Sequence, residues 1–443
     1  MFLFYTTIIS VFFILLLSYF ILYRINKNKN IFLIDWFYLS LLFFNGLVFL
    51  FIIYTTKFNI NNDFLFTKII NTNINIYKVI FYFFINFLII IFVYIGWIIS
   101  KNSRFKTQNI RFFFLNKKQN YINELYYFSW FLFILSFILY RIYVNAYGGF
   151  FGYLDYSRLV RSGVFVVENP FSFLIKFGSL SLISSYLFFA FILEKGVNFR
   201  LTLIGFILSL IFSIYVLYSL AGRVGFLLYF GVFIFSFLLR NTNNILKYFI
   251  KIFIIVLTFI TLLFIIDSFL KRSSNNLSLI QIFSKELSFP LANYFNVLND
   301  CSYRIFIDLI YIPLYLLPSS FWSNYIQTSS QINTEMIKKI FPETTGEVPL
   351  DFISFGFMQA NIFGVIIISF IFGFILNKLQ KFIDKIHIVS LKYVMFAYII
   401  FNIAILTVIY ADPQHIISRT FPLIISLLLF IIFMRFRNVI KRS

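Results

Sequence analysis

The chain has 443 residues, 61% of them hydrophobic and only 12% charged, with a mean hydropathy of +0.91. A soluble chain carries roughly a quarter charged residues, so a water-soluble fold has nowhere to put this apolar surface, and an outer-membrane barrel is excluded because its strands alternate polar and apolar residues over about ten positions. The net charge of +21 reads as the Lys and Arg excess of a membrane protein's cytoplasmic side, because no soluble stretch presents a basic face for nucleic acid.

Apolar runs predict about eleven spanning helices (ten to twelve, since three are short or marginal) at 3–23, 31–54, 76–99, 122–144, 172–193, 201–220, 224–239, 248–269, 351–376, 386–410 and 420–434. The expected fold class is therefore an all-α polytopic membrane protein, 1–443 forming a single transmembrane domain. The first run lacks a basic leader and a small-residue cleavage site, so it reads as a retained span. With the N-terminus outside, the cytoplasmic segments hold 21 Lys and Arg and the outside segments 15, the former in less than half as many residues. That density difference puts the C-terminus inside.

Between the fourth and fifth spans, residues 145–171 read as an outside loop. It carries Tyr147-Gly148-Gly149, then Tyr153, Arg158 and Arg161. Glycines admit a ligand close to the backbone, and guanidinium forks suit a diphosphate, although interfacial arginines also simply touch lipid headgroups. Arg223 sits in the break Ser219-Leu220-Ala221-Gly222-Arg223-Val224-Gly225. An ionisable residue at membrane depth points to a site, with snorkelling as the plainer reading. Residues 270–350 form the largest extracytoplasmic loop, holding Arg304, Asp308, Glu343 and Glu347, with Asp351 at its end. Within it Ile305 to Leu317, broken by Pro313, is too short to span and is expected to lie in the interface or to re-enter. Asp351 reads as a helix cap, Glu347 as the better candidate base. Ahead of the last span come Asp412, His415 and Arg419.

The lone cysteine, Cys301, permits no intramolecular disulfide, and two histidines, His387 and His415, are too few for a histidine-built metal site. Aromatic content of 23% reads as codon bias. No phosphate loop, His-Glu-x-x-His, Gly-x-Ser-x-Gly or Asp-x-Asp pair occurs. Residue chemistry alone stops at a membrane protein with an anion-binding outer cleft.

From about Tyr147 onward the chain resembles the oligosaccharide repeat-unit polymerases, the Wzy-type O-antigen and capsule polymerases of bacteria. The likeness rests on Gly148-Gly149 with Tyr153-Leu154, Arg158 and Arg161; on Ala221-Gly222-Arg223-Val224-Gly225; on Thr345-Gly346-Glu347 and the glycine-punctuated stretch Phe355 to Val365; and loosely on Asp412 to Arg419. It departs where the family's hairpin has Ser before Arg and this chain has Gly222, and where Leu317-Pro318-Ser319 stands in place of a Pro-x-Lys-Pro element.

The resemblance implies a membrane glycosyltransferase architecture of GT-C-like type, in the bacterial cytoplasmic (inner) membrane with its active face periplasmic. It implies metal-independent, cofactor-free polymerisation of undecaprenyl-diphosphate-linked repeat units for O-antigen, lipopolysaccharide, capsule or exopolysaccharide. Glu347 or Asp412 would act as base and Arg223 as a catalytic cation. Arg158, Arg161, Arg304, Arg419, Tyr153 and His415 would bind the diphosphate or glycan. Partners are the lipid-linked oligosaccharide and the bilayer, with a chain-length regulator as a further candidate. An O-antigen ligase is the nearest rival, but residues 270–350 lack the histidine that ligases use. A flippase or exporter of lipid-linked sugars would need charges through the middle of its spans.

Overall fold

The structure, a computed structural model, describes residues 1–58, 64–103, 118–162, 169–194, 198–220, 223–240, 279–299, 303–318, 321–323, 325–342, 344 and 346–440. Within these the fold is helical throughout, and nine helices are long and apolar enough to cross a membrane. The expected span 248–269 and Cys301 lie outside the described residues, and 224–239 appears as an 18-residue helix that is apolar but short. The chain divides into two compact units.

The first unit comprises Met1–Arg104, Asn275–Phe382 and Asn402–Ser418. It opens with α1 (Phe2–Asn28), α2 (Leu33–Lys57), α3 (Leu65–Asn73) and α4 (Ile76–Asn102). α2 loosens into a π-helical stretch at Leu42–Val48, and there the Asn45 amide donates to Asn86 across the buried contact with α4 at 2.6 Å. A wider turn re-aims side chains without breaking the ladder, and an amide pair is a means of joining helices where lipid offers no hydrophobic drive. At the head of α2, Asp35 is fully buried and accepts from Arg24 Nε at 2.7 Å and from the Phe32 amide at 2.9 Å. The charge is thereby paired and the helix start satisfied at once.

After α10 (Leu279–Leu287) and α11 (Phe289–Asn299) the large loop continues through two single turns, α12 (Ile307–Ile310) and α13 (Ile312–Tyr315), and α14 (Ser329–Ile340). α15 (Phe352–Asp384) follows and packs against α4 so closely that a Cβ at Gly96 would collide with the Phe370 carbonyl, and one at Gly373 with the Val93 carbonyl. The glycines are what permit this approach.

The predicted span 351–376 is not one helix. Ala360 (φ −163°, ψ 46°) and Asn361 (φ 56°, ψ −141°) leave helical geometry. A Cβ on Gly356 would touch Val365, and one on Gly364 would strike the Gly356 carbonyl. Residues eight apart in a continuous helix are about 12 Å apart along its axis, so 352–359 folds back as a half-helix beside the helix that begins at 362. Gln359 and Asn361 dent the hydropathy only locally and both sides of the break remain apolar, which hides it from the sequence.

The second unit comprises Phe105–Ser274, Ile383–Phe401 and Arg419–Ser443. Its described helices include α5 (Lys118–Asn145), α6 (Gly149–Ser162), α7 (Ser172–Glu194), α8 (Phe199–Ser219) and α9 (Arg223–Arg240). α16 (Val389–Val408) and α17 (Pro413–Ile440) each contribute to both units. Small hydroxyls stitch α5, α7 and α8 together: Ser136 to the Gly178 carbonyl at 2.9 Å, Ser184 to the Ser129 carbonyl at 2.8 Å, and Ser213 to Ser181 at 3.0 Å. Residues 145–171, expected as a loop, instead contain the 14-residue α6. Gly148 and Gly149 (φ 81° and 86°) make the turn into it, a left-handed conformation that suits glycine.

Candidate functional site

The polar residues of the first unit converge where the half-helix, the large loop and the start of α17 meet. The broken helix leaves the Met358 and Gln359 carbonyls without the amide partners four residues on. The amides of Arg304 and Ile305 take their place, each donating at 2.8 Å. Ile305 and Phe306 are held at positive φ (48° and 61°), a costly conformation for a β-branched side chain that these bonds help to hold.

Asp308, fully buried, lies at the centre of that junction. Its Oδ1 accepts from Arg304 Nη2 at 2.8 Å. Its Oδ2 accepts from Arg304 Nε at 3.0 Å, Ser329 Oγ at 2.6 Å and Gln359 Nε2 at 2.9 Å. Arg304 Nη2 also donates to the Gln327 carbonyl at 2.6 Å. Burial works against the guanidinium's charge, but the Asp308 carboxylate outweighs it and holds the arginine protonated above its usual range. Arg304, expected to bind diphosphate, thus has Nε and Nη2 engaged within the protein.

Asp412 is fully buried too. Its Oδ2 accepts from the Ser330 amide and hydroxyl, both at 2.9 Å, and its Oδ1 from the Gln414 amide at 2.9 Å. One carboxylate therefore caps two helices, α14 and α17. Burial raises its carboxyl pKa and the amide bonds oppose the rise. Asp351 likewise caps the half-helix, accepting from the Ile353 and Ser354 amides at 3.1 and 3.2 Å.

Glu347 differs from both. Its side chain retains 30% of its surface. The chain that follows it is pinned at three successive residues: the Val348 amide donates to Thr334 Oγ1 at 2.8 Å, Asn293 Nδ2 to the Pro349 carbonyl at 2.7 Å, and the Ala411 amide to the Leu350 carbonyl at 2.8 Å. Glu347 Oε1 accepts from Thr328 Oγ1 at 3.4 Å and lies 3.8 Å from His415 Nε2. Burial, and then the Asp412 charge, lift its carboxyl to about 6, with the Thr328 bond opposing. A carboxylate that titrates near neutrality and still faces outward is equipped to accept a proton. His415 in turn packs against Tyr410, ring centroids 6.2 Å apart.

The remaining expected site residues belong to the second unit. Arg158 and Arg161 fall on α6 and Arg223 opens α9, but their side chains lie outside the described residues; Glu343 and Thr345, in the first unit, lie outside them too. Arg419 is half-buried on α17, and its carbonyl accepts from Tyr398 at 2.9 Å. Tyr153 is 1% exposed. It accepts from Tyr143 OH at 3.0 Å inside a cluster with Tyr140 and Tyr147, so it supports α6 from beneath and has little surface to offer a glycan.

Thr328, Ser329, Ser330 and Gln359 were not anticipated. Thr328 had a legible signal, since Thr328-Ser329-Ser330-Gln331 is a capping box: Gln331 N donates to Thr328 Oγ1 at 3.2 Å and Thr328 N to Gln331 Oε1 at 2.9 Å. Gln359 had none, because its part depends on the helix break.

The all-helical fold with its apolar spans defines a multi-pass membrane protein. No protein-family model, curated protein or solved structure matches the chain.

Proposed function

We propose that this protein is a glycosyltransferase that polymerises lipid-linked oligosaccharide repeat units at the outer, periplasmic face of the bacterial cytoplasmic membrane. A hydroxyl of the acceptor repeat unit attacks the anomeric carbon of the donor glycan. The new glycosidic bond forms as the anomeric C–O bond to undecaprenyl diphosphate breaks, the hydroxyl proton passes to a carboxylate, and the diphosphate departs with the bonding pair. Glu347 is the proposed proton acceptor. Arg158, Arg161, Arg223 and Arg419 are the proposed holders of the diphosphate, whose negative charge grows as it leaves.

The observation that carries the reading is the state of Glu347: accessible, anchored by Thr328, beside His415, and with its carboxyl lifted to about 6. Asp412, the other proposed base, has all its oxygens' near donors supplied by Ser330 and Gln414 and no exposed surface. Its role in this mechanism is to add negative charge beside Glu347 and raise that carboxyl's proton affinity.

The test is a glycan profile of a strain lacking the protein. Surface glycan limited to a single repeat unit supports the assignment. Full-length polymer lost from the surface but accumulated on its carrier points to a ligase, and repeat units trapped inside the cell point to a flippase. Either of the latter overturns it.

A further inference from the structure

From Ile305 to Ile326 the sequence holds one charged residue, Asp308, and that residue is buried. The segment's other inward groups are Tyr315 (2% exposed) and Trp322 (3%), whose rings meet at 5.1 Å, with Trp322 Nε1 donating to the Leu317 carbonyl at 3.3 Å. What faces outward is mostly apolar: Ile305 is 75% exposed, Ile310 71%, Leu317 46% and Phe321 70%, with Ser323 as the exposed polar side chain among the described residues between them and Tyr325. A segment facing water arranges itself the other way, with its charge outside and its aliphatic side chains within. This one is inverted, and a contiguous apolar face of that kind marks a surface made for an apolar partner.

The neighbouring chain says which partner. The Arg304 and Ile305 amides are bonded to the Met358 and Gln359 carbonyls, and Asn361 Nδ2 donates to Tyr303 OH at 3.3 Å. Two residues on, Phe363 is 74% exposed at the first turn of the helix that begins at 362. That helix is part of a candidate membrane span, with Ile367 (40%) and Ile375 (44%) also exposed along it. The apolar face of the loop is thus continuous with side chains of a span that must meet lipid. Tyr303 (56%) and Tyr325 (87%) stand at its two ends, the residue type enriched where hydrocarbon gives way to headgroups.

We propose that the described residues of this segment, 303–318, 321–323 and 325, form a foot seated in the bilayer, α12 and α13 lying along the hydrocarbon–headgroup boundary with Ile310, Leu317 and Phe321 as its anchors. The occupant of this face is the lipid leaflet. The foot is tied at both ends to the start of α14, whose cap Thr328 bonds Glu347. At one end Arg304 and Asp308 lock it to Ser329 and Gln359. At the other, Tyr325 lies three residues before Thr328, which bonds Glu347, a reach of at most about 10 Å. Lipid contact therefore fixes the height of Glu347 relative to the headgroups. The inference stands on exposure and connectivity and holds whatever reaction Glu347 serves.

The test uses the full-length protein reconstituted in phosphatidylethanolamine and phosphatidylglycerol vesicles, with Cys301→Ser removing the native thiol. Nitroxide labels are placed singly through Ile310→Cys, Leu317→Cys and Phe321→Cys, with Lys339→Cys, at an exposed position of α14, as the aqueous reference. Collision with dissolved oxygen is compared with collision with a water-soluble nickel chelate. The expected result is an oxygen-to-nickel ratio at least several-fold higher at 310, 317 and 321 than at 339. Nickel accessibility at all three equal to that at 339 overturns the foot. So does shielding from both reagents accompanied by dipolar broadening between labels, which would make the occupant a second copy of the chain. In each label's background, Phe321→Glu or (for the 321 label) Ile310→Glu should raise nickel access at the remaining positions, and no change there would also count against seating in lipid.

Discussion

Replacing Arg304 with alanine is the perturbation whose size the structure sets most firmly. The guanidinium supplies two charged hydrogen bonds to Asp308, at 3.0 and 2.8 Å, and one to the Gln327 carbonyl at 2.6 Å. Removing one partner of a buried ion pair costs about 3–5 kcal/mol, because the remaining charge is left uncompensated. Here Ser329 and Gln359 still donate to Asp308 Oδ2, and the arginine side chain is 15% exposed, so water takes over part of its place. Both facts move the expectation for Arg304→Ala to the lower end, about 3 kcal/mol. Adding Asp308→Asn removes the stranded charge and should return about 1–2 kcal/mol of that loss. The assay is reversible unfolding in mixed micelles followed by tryptophan fluorescence, with the double variant completing the cycle. A loss below about 0.5 kcal/mol for the single variant, the range of an ordinary surface change, would refute the view that this pair locks the loop to the half-helix.

Glu347→Gln should insert and fold normally and keep binding the lipid diphosphate while polymerisation falls by about 100-fold or more, the share a positioned base supplies; ladder length on a gel reads this out. Because the folded carboxyl titrates near 6, wild-type turnover should climb between pH 5 and pH 7 as the base loses its proton, and a flat profile would remove Glu347 from that role. The stability sign is opposite: with its folded pKa raised from 4.5, Glu347 favours the fold most when protonated, and its contribution declines as pH rises through about 6. Gly373→Ala should destabilise by about 1–3 kcal/mol, since its Cβ meets the Val93 backbone, which cannot swing aside; melting temperature checks it. Asn361→Ala should destabilise by about 1–3 kcal/mol, since it keeps the positive φ at the helix break and loses the bonds to Tyr303 OH and from the Ile362 amide, whereas a continuous helix there would be strengthened by alanine.

The spans were legible because a bilayer demands about 20 apolar residues in succession, and that demand is written directly into the hydropathy. The break at Ala360-Asn361 was not, because both half-helices are apolar and the signal for the break is a pair of amides from residues 304 and 305 that approach only in the folded chain. Arg304 and Asp308, four apart, were visible as neighbours in sequence, yet the reading of Arg304 as a diphosphate binder did not include the buried pairing of the two. The cap at Asp412-Pro413 was similarly open to reading, but its second client, the Ser330 amide, lies 82 residues away. Glu347 was identifiable because it stands outside the spans in a Gly-Glu-x-Pro turn. Its raised proton affinity was not, since that comes from burial and from Asp412.

Purified protein in proteoliposomes, given a single undecaprenyl-diphosphate-linked repeat unit, tests the central claim without the cell's other enzymes. The expected result is a ladder of longer lipid-linked glycans with one undecaprenyl diphosphate released per bond formed, both lost in Glu347→Gln. Unchanged substrate with correctly inserted wild-type protein, or an equal ladder from Glu347→Gln, would contradict the account.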